Sequence, residues 1–412
     1  MGRSTARLSA FQADYPGSNP GLRIQTKMEN KKNFHDRYYK LLLIISALLI
    51  VFSIFYLINF YSVNQDFVHK DISLTGGTSV TLIGDIDSTK LEQGLGVKLE
   101  DFNIRGVSDL ITQERKALII ETKLSSDETK QILEEYLGYE LTPENSSFEF
   151  TGSTLSESFY RQLLTAVWVA FVLMSLVVFL IFGESQVLKT YVAVLSLFIV
   201  KTAYSHISLV NALAIFLILL SIPFLFYYSM KKKINYYIPV AFSIAVLFLL
   251  IFQSFYSGFP SLIMVIISIV LGGLYFFYSI PSFAVIISAF ADILMTLVFV
   301  DILEIKLSSA GIVAFLMLIG YSVDTDILLT TRMVKRSEGS LNQRMFSAFK
   351  TGITMTLTSL LAVGVAWFVV KSFSTVLSQI FLILFIGLSF DLFNTWVTNA
   401  SILKWHTMRK NK

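Results

Sequence analysis

Residues Leu316 to Arg332 read LMLIGYSVDTDILLTTR, and the fold turns on how they are read. The stretch begins as an apolar helix suited to lipid, then carries Asp324 and Asp326, and closes on Arg332. An ionisable group inside a membrane span costs about 2.5–3.5 kcal/mol on insertion scales and by default marks a functional site. The alternative is that the helix ends early and both aspartates sit in water. Ile327, Leu328 and Leu329 carry the apolar run past them and argue for a continuing helix. Two residues along a helix is a turn of about 200°, so the pair cannot share a face. If Asp324 faces a bundle interior, Asp326 faces elsewhere, towards the rim near Arg332.

Working outward, 54% of the 412 residues are hydrophobic and only 15% are charged, which places the chain among polytopic membrane proteins. Without cysteine there is no disulfide, thiolate metal site or cysteine nucleophile. The four histidines, His35, His69, His206 and His406, are scattered, so no metal site is expected. Charge is unevenly divided. Residues 66–159 hold 18 acidic and 8 basic side chains, a balance of −10, and the rest of the chain balances at +14. An acidic block within a basic membrane protein suggests an external domain, with the Lys/Arg excess kept in the cytoplasm.

In chain order, residues 1–37 form a polar, basic cytoplasmic tail with no nucleic-acid-binding pattern, and the first membrane helix covers 38–62. Residues 63–157 change character. Asp71 to Gly84 reads as a strand around Gly76-Gly77, which serves either a bulge and close backbone approach or an ordinary turn. Ser88 to Leu95 and Ser126 to Leu137 read as helices, with Glu134 and Glu135 exposed on the second. Phe102 to Leu110, Ala117 to Lys123 and Ser147 to Gly152 read as strands. The order β-α-β-β-α-β is that of a small ferredoxin-like domain. Asn145-Ser146-Ser147 is a glycosylation sequon, a weak signal by itself.

A second core helix spans 158–182. Residues 183–279 hold about four further apolar segments, near 188–205, 208–229, 236–256 and 260–278. Lys231, Lys232 and Lys233 place one of the turns between them in the cytoplasm, and Lys201 is expected to snorkel. Four more spans follow within 280–405, near 281–303, 307–331, 352–371 and 376–402, and residues 406–412 form a cytoplasmic tail. Three of these spans bring carboxylates into a bundle poor in charge: Asp292, the Asp324/Asp326 pair, and Asp391. Asp391 and Thr395 are i,i+4, as are Asn394 and Thr398, so two polar rows line one sector. These residues serve either as a proton relay or as polar glue, where each bond contributes only about 0.6–2 kcal/mol. Lys350, Thr351 and Arg332 are added as expected polar bundle contacts.

GYSVDTDILLTTRMVKR resembles the fourth membrane helix of the SecF family in its archaeal form. DISLTGGTSV resembles the opening of that family's external domain and SESFYRQ the entry to its second helix. IPSFAVIISAFADI, KTGITMTLTSLLAV and FDLFNTWVTNASIL resemble its third, fifth and sixth helices. The resemblance implies an RND-like core of six helices with a ferredoxin-like domain between the first two. It implies Asp324 as the family's functional membrane aspartate and Asp292 as its third-helix aspartate. Where the bacterial branch has an arginine, this chain has Thr351 beside Lys350. It further implies a SecD-like partner, a SecY-type channel nearby, a translocating polypeptide as client and, in bacteria, use of the proton gradient.

The expectation is therefore a polytopic α-helical membrane protein of about ten helices, six of them an RND-like core and about four inserted, with one external α+β domain and both termini cytoplasmic. It is expected to be no enzyme, to need no cofactor, and to assist protein export across the cell membrane. The alternative is an RND-like proton-coupled exporter of small lipophilic molecules.

Overall fold

In a computed structural model of the chain, residues 34–84, 88–95, 102–108, 115–204, 260–372 and 374–410 are described, with isolated positions between them. Six helices are long and apolar enough to cross a membrane among the described residues. They are α1 (Phe34–Asn64), α5 (Ser153–Phe182), α8 (Ile280–Ile302), α9 (Ser309–Thr330), α10 (Leu341–Val370) and α11 (Thr375–Asn394). The chain is a multi-pass membrane protein.

Local chemistry explains where these helices begin. Pro281 sits in the first turn of α8, where its missing N–H has no partner to lose. Ser308 and Ser374 accept from the amides of Gly311 and Leu377, satisfying orphan donors at the starts of α9 and α11. Ser340 and Gln343 form a reciprocal capping box, so α10 starts at Leu341 rather than near 352, as its apolar content suggested. The loop expected over 332–350 is thus largely the first three turns of α10.

Between α1 and α5 stands a four-stranded antiparallel sheet in the order β2-β3-β1-β4. Its strands are β1 (Gly77–Ile83), β2 (Phe102–Ser108), β3 (Arg115–Thr122) and β4 (Ser146–Thr151), with α3 (Ser88–Leu95) after β1 and α4 (Ser126–Leu137) after β3. Val80, Leu82, Leu118 and Ile120 alternate onto one face and meet Leu91 of α3 and Leu133 of α4. The strand expected from Asp71 is shorter. Asp71 instead caps a single helical turn, α2 (Ile72–Thr75), by accepting from Ser73. Glu134 is also less free than expected, since it accepts from the Leu141 amide and pairs with Lys130.

Gly76 and Gly77 have φ of +83° and +141°. A Cβ on Gly76 would lie 2.5 Å from the Ser153 backbone, and one on Gly77 would lie 2.3 Å from the Thr122 carbonyl oxygen. Of the two readings of this pair, close backbone approach is the one observed.

The sheet is tied to the helices at its root. Leu307, in the turn between α8 and α9, donates to the His69 carbonyl and accepts from the Asp71 amide. The Ser309 amide donates to Ser73 Oγ, and Gln379 of α11 bonds Lys306 and Ser308 in the same turn. Asp66 accepts from Tyr160 of α5 at 2.7 Å and pairs with Lys70 at 2.5 Å. A second contact joins the Ser108 amide of β2 to the Ser372 carbonyl beyond α10. The polar underside of the sheet and the starts of α9 and α11 line an open cleft of about 340 Å³.

Of the segments expected over 183–279, α6 (Gln186–Tyr204) and α7 (Pro260–Tyr278) are helical. They pack on α5 and α8 through Phe179, Tyr191, Leu195, Leu274, Tyr275 and Val285. The segments 208–229 and 236–256 lie mostly outside the described residues, as do the Lys201 side chain and the tail 1–33.

Two outcomes are expected. Gly77→Ala places a side chain at positive φ, a strain of about 1–3 kcal/mol, and drives it into Thr122. Limited proteolysis of the purified full chain should then cut within residues 77–151, whereas Gly152→Ala, at φ −67° and with nothing within 4 Å, should resist. Burial holds the Asp71 carboxyl above the ordinary aspartate value, while hydrogen bonds from Ser73 pull it down. The folded chain thus keeps this proton more tightly than the unfolded chain. The residue's contribution favours folding at acid pH and is lost as pH rises from the ordinary aspartate range through the raised one. Asp71→Asn keeps an acceptor for the cap and should flatten that dependence in thermal unfolding measured across pH.

Candidate functional site

Helix α11 does not end at Asn394. It passes through one π-helical turn, Thr395–Asn399, into α12 (Ala400–Lys410). A second π turn, Thr331–Lys335, ends α9. Such turns recur at functional sites, and the first of them meets the acidic residues of the bundle.

Asp292 of α8 is fully buried and accepts at both oxygens: from Ser322 Oγ of α9 at 2.5 Å and from Asn394 Nδ2 at 2.8 Å. Asn394 Oδ1 accepts from Thr398 at 3.0 Å, and Thr398 bonds Ser46 of α1 at 2.5 Å. One chain of hydrogen bonds therefore runs through four helices, from α1 by way of the α11 segment to α8 and α9. Asp391 accepts from Thr395 at 3.2 Å, and Asp326 of α9 accepts from Asn399 at 2.7 Å. The segment 391–399 thus supplies a partner to each of three buried carboxyl groups.

The structure reverses the expected orientation of the aspartate pair. Asp326 is fully buried, and Asp324 is exposed on the outer side of α9. Ser322 and Asp326 are i,i+4, so one inward face presents both, and Asp324 must point away. Arg332 turns from Asp326 to α10, donating to the Ser347 carbonyl and hydroxyl. Lys350 is exposed, and Thr351 bonds only back to Ser347 in its own helix, so neither joins the aspartates. The sequence reading also missed Ser46, Ser322 and Asn399. Asn399 lies i,i+4 from Thr395, whereas a lone serine in an apolar helix gives no signal of its own.

Among the described residues no basic side chain pairs with Asp292, Asp326 or Asp391. One oxygen each of Asp326, Asp391 and Asn399 is buried without a hydrogen-bond partner among them. The described residues contain no cluster that could hold a metal through three His, Cys, Asp or Glu side chains. Bare buried carboxylates carry a large desolvation cost, and the chemistry three such groups offer is the binding of a proton.

Residues 249–409 match a family described as Protein export membrane protein SecD/SecF, C-terminal. SecF of Methanolacinia petrolearia is 48% identical over 135 residues, which are 32% of this chain and 47% of that protein. SecF of Methanocaldococcus jannaschii is 48% identical over 136 residues, 32% of this chain and 48% of that protein. The chain thus spans about half the length of the curated relatives it matches. A crystal structure of SecDF, a translocon-associated membrane protein from Thermus thermophilus, aligns with a TM-score of 0.49 at 15% identity, covering 91% of this chain and 38% of that one.

Asp292→Ala leaves the Ser322 hydroxyl and the Asn394 amide without their acceptor. The expected loss is about 1–3 kcal/mol for each buried group left unsatisfied, read as a lower unfolding temperature of the full chain in detergent. Asp292→Asn keeps one acceptor and should lose less.

Proposed function

We propose, for a chain whose C-terminal membrane region belongs to the SecD/SecF family, that it is a SecF-type subunit assisting protein export across the cell membrane. Its partner is a SecD-like protein beside a SecY-type channel, and its client is a translocating polypeptide. The observation that carries the mechanism is the buried set Asp292, Asp326 and Asp391, served by one helical segment and lacking a basic partner among the described residues. Its protonation biases how the bundle packs, and so how the sheet domain sits on the helix ends. The domain, residues 63–157, has a ferredoxin-like fold; the antiparallel order β2-β3-β1-β4 with a helix after β1 and after β3 supports that reading.

The same reading places both termini in the cytoplasm, the sheet outside, and ten helices in all. Arg332, Lys335, Arg336 and Arg344 gather between α9 and α10 at the end of the bundle opposite the sheet, as the positive-inside rule requires. Asp324 takes a different role from the other three aspartates. Val313, Met317, Tyr321 and Asp324 form one exposed stripe on α9. A carboxyl group facing lipid is costly, so this face suits the membrane helices of the SecD-like partner.

A pull-down of the tagged full chain from native membranes in mild detergent tests this reading. A SecD-like protein should co-purify. Recovery of self-associated chains alone would sink the reading. Asp324→Asn should weaken that co-purification, whereas Asp326→Asn should leave it intact and remove the part of export that collapses with the proton gradient.

A further inference from the structure

A regular α-helix turns about 100° per residue. Continued unchanged past Asn394, it would place Asn399 about 140° around the axis from Asn394. The two amides would then diverge widely around the helix axis. The π turn alters that register. The Ala400 amide donates to the Thr395 carbonyl, five residues back, so the turn takes an extra residue to close. Asn399 comes round towards the side used by Asn394. From one helix, Asn394 reaches Asp292 on α8 while Asn399 reaches Asp326 on α9.

The Asn399 contact is specific in form. Its Nδ2 donates to Asp326 Oδ1 at 2.7 Å and also lies 3.4 Å from the backbone carbonyl of the same aspartate. Two acceptors on one residue orient the amide nitrogen towards Asp326. Both side chains are fully buried. Asp326 Oδ2 and Asn399 Oδ1 have no partner among the described residues. A proton on Asp326 makes Oδ2 a donor, so the contact has a different bonding capacity in each protonation state.

We propose that Asn399, brought into place by the π turn Thr395–Asn399, is the positioning residue of Asp326: it holds the carboxyl group in the orientation in which it takes and releases a cation. This rests on the relay reading above. It adds to that reading a residue, and a local backbone geometry, on which Asp326 depends.

The test is infrared spectroscopy of the carboxyl C=O stretch on the purified full chain in lipid, recorded across pH. The wild-type protein should show a protonated-carboxyl band that Asp326→Asn removes. Asn399→Ala should move that band to the higher frequency of a carboxyl lacking its donor, and the double variant should match Asp326→Asn alone. A band in Asn399→Ala at the wild-type position would overturn the inference. Absence of any band that depends on Asp326 would instead overturn the relay reading, and this inference with it. Should Asn399→Ala fail to accumulate, the Asn399 side-chain amide resonances of selectively labelled protein serve in its place. They should shift between wild type and Asp326→Asn, and unchanged resonances would overturn the inference.

Discussion

Burial of three carboxyl groups in a membrane bundle is the constraint on which the rest of this structure depends. Each removes charge from water, and among the described residues none is offset by a basic side chain. What makes the arrangement tenable is a supply of hydrogen-bond donors delivered by one short segment. Asn394, Thr395 and Asn399 each serve a different aspartate, and Ser322 completes Asp292 from α9. In low dielectric such bonds strengthen, and a missing one costs correspondingly more. The cluster therefore fixes how α8, α9 and α11 meet, while Ser46 brings α1 into the same network.

Close packing lets those donors reach. A Cβ on Gly387 of α11 would lie 2.5 Å from the Leu318 side chain of α9, and one on Gly352 of α10 would lie 2.7 Å from Trp396. Small residues of this kind allow membrane helices to approach when no hydrophobic effect drives them together. Helices α6 and α7 lie against α5 and α8 through an apolar surface.

The sheet domain is joined to the same helices by polar contacts of another kind. The turn between α8 and α9 bonds the root of the domain, and Gln379 braces that turn from α11. Two of the helices that carry buried aspartates, α8 and α9, thus end or begin at the latch. The backbone bonds there run through Asp71 and Leu307, both of them buried.

Much of this was legible in the sequence. Lipid-grade runs marked the spans, alternating Val, Leu and Ile marked the strands, and turn residues gave the order β-α-β-β-α-β. The polar residues Asp292, Asp391, Asn394, Thr395 and Thr398 stood out because a membrane helix seldom carries them. What periodicity supplies is relative angle: Asp324 and Asp326 lie on opposite sides of α9. Which of them faces inward is an absolute phase, and that is set by the helices packed alongside. The start of α10 at Leu341 depended on a cap outside the apolar run. The π turn, from which Asn399 meets Asp326, has no signal in local composition. The sequence by itself thus determined the six described spans, the sheet domain and many of the buried polar groups. Only the tertiary structure decided their phase, since phase is set by which neighbouring helices pack against each face.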